Sequence, residues 1–299
     1  MYNQVMILFL SQDKDTDLEN FAKQFQLKTG INTVFFSSKD IFANSSLSIK
    51  YENGSFNRTI NNINFDEIKV CYINSSFYCI ENHFSFANEL DKAYAMQEWN
   101  ASLLCLFSTN EKTKFINPYK KINQLSNELE CLLFFQKYNL KTCDMHLTNN
   151  SQDFLDIYNI YNQNMMVKTP ILGYEKSKNI VKSILKNLNK LYLSPYILQK
   201  LENGTPINIC LIGNHVLSCD INNKNKINIP KGIIEKLKKI KKELNVYIIS
   251  FYAIEREGEY IFYSMNQNPT FLEMQTLYRE NFKNVLTKFL TKEYKHWFY

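Results

Sequence analysis

The segment from Gly258 to Pro269 places the strongest constraint on the fold of this 299-residue chain. A turn at Gly258 is followed by an apolar run over 260–265, which predicts a buried strand. The strand then stops at a polar Asn-x-Asn-Pro sequence. Amide oxygens at such a strand end are candidate ligands for a divalent metal, and we consider Asn266 and Asn268 for that role. A cap on the turn before Pro269 is the alternative.

Composition bounds the class of protein without choosing a partner. Hydrophobic residues make up 45% of the chain and aromatic residues 14%, enough for one large domain or two to three small ones. The net charge of +6 fits a polyanionic ligand such as ATP, an acidic peptide or RNA. Seven scattered cysteines without CxxC spacing predict reduced thiols and a cytoplasmic protein. No signal peptide and no membrane-spanning helix are expected.

Hydrophobic periodicity predicts a mixture of strands and helices. Strands at 5–10 and 33–36 around a helix at 15–28 give a β-α-β opening. The clearest helix begins after Pro230 and has an apolar face and a lysine-rich face. That lysine-rich face is either solvated, which is the more common case, or binds an acidic partner. The other predicted helices span 88–106, 126–138, 176–188 and 273–290, and further strands span 165–168, 196–199, 207–212, 215–218, 246–251 and 260–265.

Short local sequences occur in a defined order along almost the whole chain. They are Phe-Ile-Asn-Pro at 115–118, Asn-Glu-Leu-Glu at 127–130, Met-Val-Lys at 166–168, Ser-Pro-Tyr-Ile-Leu-Gln-Lys-Leu at 194–201 and Ile-Asn-Ile-Cys-Leu-Ile-Gly at 207–213. This order resembles the ATP-grasp ligases. Within them it is most similar to the graspetide (microviridin-type) peptide maturases, which build ester or amide crosslinks in peptides.

The resemblance implies an ATP-grasp fold of three parts. They would be an N-terminal α/β domain at 1–118, a central small α+β subdomain at 119–192, and a C-terminal antiparallel sheet with helices at 193–299. Such ligases transfer the γ-phosphoryl of ATP to a carboxylate, and a hydroxyl or amine then attacks the acyl phosphate. The chemistry needs cations on the phosphates and acids that hold magnesium.

The resemblance also implies a set of site residues. Lys168 would contact the phosphates, the hinge from Gln199 to Glu202 would hold adenine, and Glu202 would hold the ribose. The residues assigned to ATP are Lys168, Gln199, Leu201 and Glu202, and those assigned to the metal are Asn266 and Asn268. An ordinary strand-end lysine remains the alternative for Lys168. Glu255, Glu257 and Glu259 are a further candidate metal cluster, although a polar turn of this kind is usually solvated.

Several charged positions of the family are replaced here. A helix-opening lysine falls on Glu128, and the arginine of the strand at 207–212 falls on Asn208. The acid of the penultimate strand falls within 250–252, where no residue is acidic, and the closing glutamate falls on Asn266. Two amides without a carboxylate should bind magnesium weakly.

These departures predict a degenerate member of the family. It would be a catalytically weak or inactive partner subunit that binds a precursor peptide, and it would pair with an active ATP-grasp ligase or form a homo-oligomer. The alternative is a working ATP-dependent ligase that uses ATP and magnesium, with Lys168 on the phosphates. A nucleic-acid or membrane-surface binder is a third and less favoured hypothesis; it would show a steep salt dependence.

Overall fold

The computed structural model describes nine segments of the chain, and all structural statements below concern them. None of their helices is long and apolar enough to cross a membrane. The predicted helix at 176–188 lies outside them. The segments are 6–11, 15–37, 47–61, 63–74, 87–108, 112–119, 128–162, 164–168 and 195–296.

The elements are numbered in chain order. The strands are β1 (Met6–Ser11), β2 (Asn32–Ser37), β3 (Leu47–Glu52), β4 (Ser55–Ile60), β5 (Ile63–Asn64), β6 (Ile68–Asn74), β7 (Lys114–Ile116), β8 (Lys141–Thr142), β9 (Met145–Thr148), β10 (Met165–Lys168), β11 (Tyr196–Lys200), β12 (Thr205–Ile212), β13 (His215–Asp220), β14 (Ile248–Arg256) and β15 (Glu259–Asn266). The helices are α1 (Thr16–Thr29), α2 (Glu89–Ser108), α3 (Glu128–Lys137), α4 (Ser151–Ile160), α5 (Lys231–Leu244), α6 (Phe271–Tyr278) and α7 (Glu280–Lys295).

The N-terminal part is a parallel sheet in the order β2-β1-β6-β7. All six residues of β1 are buried, as expected for a parallel strand with both faces covered. Phe21 and Phe25 of α1 pack on one side, and Leu103 and Leu106 of α2 pack on the other. The β3-β4-β5 strands form a separate antiparallel sheet. The predicted β-α-β opening is therefore confirmed.

A small antiparallel sheet in the order β10-β11-β9 occupies the middle of the fold. Phe154 of α4 is fully buried against Val167 and Leu198 of this sheet. The helix begins at Asn150, whose side chain accepts hydrogen bonds from two backbone N–H groups. β11 follows the predicted 119–192 segment in the chain but pairs with β9 and β10, so it places residues 196–200 beside Lys168.

The C-terminal sheet has the order β13-β12-β14-β15-β8 and is antiparallel except for the short β15–β8 pair. Leu237, Ile240 and Leu244 of α5 pack on one face, which confirms the apolar face predicted for this helix. The other face packs on α6 and α7. These two helices also contact the N-terminal sheet, so Phe271 and Phe282 belong to a core that joins the two parts.

The predicted single helix at 273–290 is wrong. Two helices, α6 and α7, occupy this region, and Arg279 separates them with φ 52° and ψ −132°. The apolar spacing that places Leu277, Phe282 and Leu286 in the core continues through the break. Periodicity alone therefore gave no sign of it.

Asn117 connects the N-terminal part to the C-terminal sheet through four hydrogen bonds. Its Nδ2 donates to the carbonyl oxygens of Ile248 and Gln267, at 2.7 and 2.5 Å. Its Oδ1 accepts from the N–H groups of Tyr247 and Ile248, at 2.7 and 2.8 Å. The side chain is buried and uses both donors and both acceptor lone pairs, so all its hydrogen-bonding capacity is satisfied.

Candidate functional site

A cleft lies between the β10-β11-β9 sheet and the C-terminal sheet. One part of it, which we call the apolar slot, is a cavity of about 240 Å³. Three of the four residues predicted to bind ATP line this slot, namely Gln199, Leu201 and Glu202. The other lining residues are Cys143, Met166, Lys200, Pro206, Ile254, Ile261 and Tyr263.

Gln199 offers the slot a buried hydrogen-bond acceptor. Its Nε2 donates to the Tyr263 carbonyl oxygen at 3.1 Å and contacts the Cys143 sulfur. Its Oε1 is buried and has no hydrogen-bond partner among the described residues. A buried acceptor without a partner is costly, so a ligand N–H at this position would be favoured. Burial raises the pKa of the Cys143 thiol, which argues against a nucleophilic thiolate here.

The predicted hinge at Leu201 is already engaged with a neighbouring loop. Its N–H donates to the Asn164 carbonyl oxygen at 3.0 Å, and its carbonyl oxygen accepts from Asn164 Nδ2 at 3.1 Å. The N–H is thus used, whereas the carbonyl keeps one lone pair. Next to it, the Glu202 carboxylate lies 3.4 Å from Lys200 Nζ and 3.6 Å from Arg256 Nη1. Those cations hold the carboxylate at the edge of the slot.

Gly204, which lies between β11 and β12, permits its own backbone to approach β14 closely. It has φ +148°, and a Cβ at this position would lie 2.4 Å from the Glu255 carbonyl oxygen and 2.6 Å from Ile254 Cγ2. No side chain fits in that space, so glycine is required here.

A second cavity, which we call the polar chamber, continues from the slot and measures about 590 Å³. Pro206 and Tyr263 line both, so the two form one cleft. The other lining residues of the polar chamber are Glu128, Ile221, Asn222, Tyr252, Ser264, Met265, Asn266 and Glu273.

Glu128 and Lys168 form a buried ion pair beside the polar chamber. Lys168 Nζ lies 3.5 Å from Glu128 Oε2, and the two side chains are 0% and 8% exposed. The Ser264 hydroxyl donates to the other carboxylate oxygen at 3.1 Å. Lys168 Nζ also lies 5.7 Å from the centre of the Tyr263 ring. Lys168, which is predicted to contact phosphates, therefore faces Glu128, at whose position the resemblance implied a lysine.

Asn208 and the segment at 250–252, where the resemblance implied an arginine and an acid, lie on the neighbouring strands β12 and β14. Asn208 pairs with Tyr252, and Tyr252 pairs with Ser264, in one row across β12, β14 and β15. Asn208 is completely buried, and its Oδ1 accepts from the Tyr278 hydroxyl at 2.6 Å. Tyr252 and Ser264 of this row line the polar chamber and carry hydroxyl groups, whereas Asn208 lines neither the slot nor the chamber.

Glu273 is a site residue that the sequence did not reveal. It lies in the first turn of α6, lines the polar chamber and accepts a hydrogen bond from the Tyr252 hydroxyl. Burial raises its pKa, and the hydrogen bond from Tyr252 opposes that shift. In the sequence, Thr270-x-x-Glu273 fits a capping box, and Thr270 does cap the helix. Because the capping box already accounts for Glu273, no feature of the sequence indicated that its carboxylate lies in the cleft.

The two predicted metal ligands lie in a turn. Asn266 Oδ1 accepts from the Asn268 N–H at 2.9 Å, an Asx turn that fits the capping alternative. Only Asn266 of the two lines the polar chamber. In the described segments, no group of three or more histidine, cysteine or acidic residues is placed to hold a metal. Glu255 instead accepts from Gly258 N–H, and Glu259 pairs with Lys141, so neither forms part of the polar chamber.

The donor set fits a nucleoside better than it fits magnesium triphosphate. The apolar slot has apolar walls, a buried acceptor at Gln199 and a carboxylate at Glu202. The polar chamber has two carboxylates, each of which accepts a hydrogen bond, and two amides, those of Asn222 and Asn266. Magnesium and phosphates would need free acids and free cations together.

No protein-family model and no curated protein matches the chain. Several solved structures do. The macrocyclase MdnC bound with precursor peptide MdnA, from Microcystis aeruginosa MRC, superposes with a TM-score of 0.81 at 14% identity, covering 96% of this chain and 99% of that chain. A RiPP-associated ATP-grasp ligase from Chryseobacterium gregarium, in complex with ADP and a leader and core peptide, gives 0.76 at 16% identity, with 96% and 97% covered. The ATP-grasp ligase PsnB, complexed with a precursor peptide and AMPPNP, gives 0.75 at 12% identity, with 97% and 98% covered.

At these identities the likeness establishes the fold. The chain has the ATP-grasp fold, and its resemblance to ATP-grasp ligases of ribosomal peptide modification is confirmed at that level.

Proposed function

We propose that this chain is a catalytically weak or inactive ATP-grasp protein of ribosomal peptide modification, which binds a precursor peptide and acts beside an active ligase. The three-part division at 1–118, 119–192 and 193–299 belongs to the same proposal. The observation that carries it is the buried ion pair between Lys168 and Glu128. A lysine that already faces a carboxylate is a poor ligand for phosphate.

Ligase chemistry depends on the stabilisation of negative charge in the transition state. Phosphoryl transfer and acyl-phosphate attack both need cations placed where negative charge develops, and each such group contributes about 3–4 kcal/mol. Here Glu128 brings a negative charge to the polar chamber, and Asn208, at whose position the resemblance implies an arginine, is uncharged and accepts a hydrogen bond from Tyr278. Loss of several such contacts would remove most ligase activity.

Peptide binding is supported by the fold and by the charge of the chain. The solved structures of similar fold hold precursor peptides. The net charge of +6 suits an acidic peptide. Size-exclusion chromatography of the chain, alone and mixed with an active ATP-grasp ligase of ribosomal peptide modification, would test both the homo-oligomer and the heteromeric partner.

Calorimetry and mass spectrometry test the proposal directly. The full chain is titrated with synthetic precursor peptides from neighbouring genes, and then incubated with peptide, ATP and magnesium. We expect peptide binding without phosphate release and without the loss of water that each crosslink would cause. Steady phosphate release with a crosslinked product would refute the inactive role.

A working ligase is the second candidate, because Lys168 is present and Glu273 places a carboxylate in the polar chamber. In that case Lys168→Ala and Glu273→Gln should each reduce phosphate release by at least about tenfold. Glu130→Gln, an exposed change in the first turn of the same helix as Glu128, is the matched control and should leave it unchanged. Equal rates in all three variants would exclude this candidate.

A further inference from the structure

The apolar slot is suited to one flat ligand that donates a hydrogen bond. Met166, Ile254 and Ile261 provide apolar walls, which favour a planar ring system. Gln199 lines the slot, and its buried Oε1 lacks a partner among the described residues, so a small turn of this side chain would let it accept from a ring N–H group. An aromatic amine such as the adenine amino group meets both requirements.

The edge of the slot is suited to hydroxyl groups. Glu202 is 15% exposed and held by Lys200 and Arg256, so its position is fixed before a ligand arrives. A carboxylate has about four acceptor sites and accepts from hydroxyls without any charge on the ligand. A ribose next to the base would present such hydroxyls.

The polar chamber is unsuited to phosphates. Glu128 and Glu273 contribute carboxylates, and no lysine or arginine is among the residues of the described ranges that line it. Lys168, beside the chamber, faces Glu128. Each phosphate brought into this chamber would add a like charge at low dielectric, where repulsion is strong.

From this contrast we propose that the cleft selects a neutral nucleoside, of the adenosine type, over nucleotide phosphates, and binds it without magnesium. The inference rests on the proposed function, since a chain that no longer transfers phosphoryl groups has no need of a triphosphate. The base and the ribose would fill the apolar slot, and the polar chamber would remain free of phosphate.

Calorimetry of the full chain with adenosine, AMP, ADP and ATP, each with magnesium and with chelator, tests this directly. We expect adenosine to bind at least about tenfold more tightly than ATP, the scale of one unfavourable charge contact, with no gain from magnesium. Tighter binding of magnesium ATP than of adenosine would overturn the inference, and so would the absence of adenosine binding.

Two variants test the electrostatic cause. Glu128→Gln removes one carboxylate, keeps an acceptor for Ser264 and should shift the ratio of ADP to adenosine affinity about tenfold toward ADP. Because that change leaves the buried Lys168 without this carboxylate and can unfold the protein, Glu273→Gln serves as the second variant, with a shift in the same direction. Glu130→Gln is the matched control and should leave the ratio unchanged.

An unchanged ratio in Glu273→Gln and in folded Glu128→Gln would overturn the electrostatic cause. The outcome is separable from that of the proposed function. ATP that binds best but yields no crosslinked peptide refutes only this inference, whereas a crosslinked product refutes the proposed function.

Discussion

The apolar slot and the polar chamber are neighbours in one cleft, yet they differ in the charge of their walls. The slot is lined by three of the four residues that the sequence assigned to ATP, and most of its other lining residues are apolar. In the chamber, the Glu128 carboxylate faces Lys168, and the Glu273 carboxylate accepts a hydrogen bond from Tyr252. Apolar contact can hold a ring without any charge on the ligand, whereas binding of phosphates requires cations.

The largest effect should come from breaking the ion pair of the polar chamber. Glu128→Ala removes the carboxylate that faces the buried Lys168, and we expect a loss of about 3–5 kcal/mol in the free energy of unfolding. Chemical denaturation measures it. Glu130→Ala, exposed in the same turn, should change stability by less than about 0.5 kcal/mol.

A double replacement sharpens the result. Glu128→Leu with Lys168→Met removes both charges, and the double variant should lie within about 1–2 kcal/mol of the wild type. A single Glu128→Ala variant as stable as the wild type would show that the two side chains do not interact in solution.

The next effect concerns Asn117, which connects the N-terminal part to the C-terminal sheet next to the polar chamber. Asn117→Ala removes four hydrogen bonds, among them the bond to the Gln267 carbonyl next to Asn266. Buried groups would lose their partners, so we expect a loss of about 2–4 kcal/mol in the free energy of unfolding. Asn159→Ala, exposed on α4, is the control. A loss below about 1 kcal/mol would mean that water replaces these bonds.

The slot should respond more weakly to a change of charge. Glu202→Gln keeps one acceptor, so adenosine affinity should fall by about three- to tenfold, as measured by calorimetry. Glu257→Gln, exposed in the turn before β15 and outside the slot lining, is the control and should change adenosine affinity by less than about twofold. If both variants bind adenosine as tightly as the wild type, the Glu202 carboxylate does not contact the ligand.

The smallest effect is a pH dependence at Glu273. Its folded pKa is raised by burial above the unfolded value of about 4.3. Its favourable contribution to folding is therefore complete below about pH 4.3 and is lost as the pH rises through the folded pKa. Glu273→Gln does not titrate, so its stability relative to the wild type should increase as the pH is raised from about 4 to 7 in urea unfolding. A constant difference would indicate an unshifted carboxyl.

The sequence predicted those elements whose signals are local. The strand at 165–168 appears with the predicted bounds, and the helix after Pro230 ends at Leu244 as predicted. Both depend on short apolar patterns, and the start of the helix also depends on the fixed φ of Pro230. The break at Arg279 was missed because the apolar spacing continues through it.

The contacts of the site could not be predicted, because they join residues far apart in the chain. Lys168 and Glu128 are forty positions apart, and each alone has an ordinary local explanation. Asn164 binds both backbone groups of Leu201, and no motif marks it. The ligand roles of Lys168, Gln199, Leu201, Glu202, Asn266 and Asn268 remain predictions.

Gly204 affects the shape of the slot although it is not one of the residues that line it. A Cβ at this position would lie 2.6 Å from Cγ2 of Ile254, a residue that lines the slot, and 2.4 Å from the Glu255 carbonyl oxygen. Any larger residue would therefore push the start of β12 away from β14 and displace the Ile254 side chain. A change of ligand size in this protein can thus begin at a position that touches no ligand.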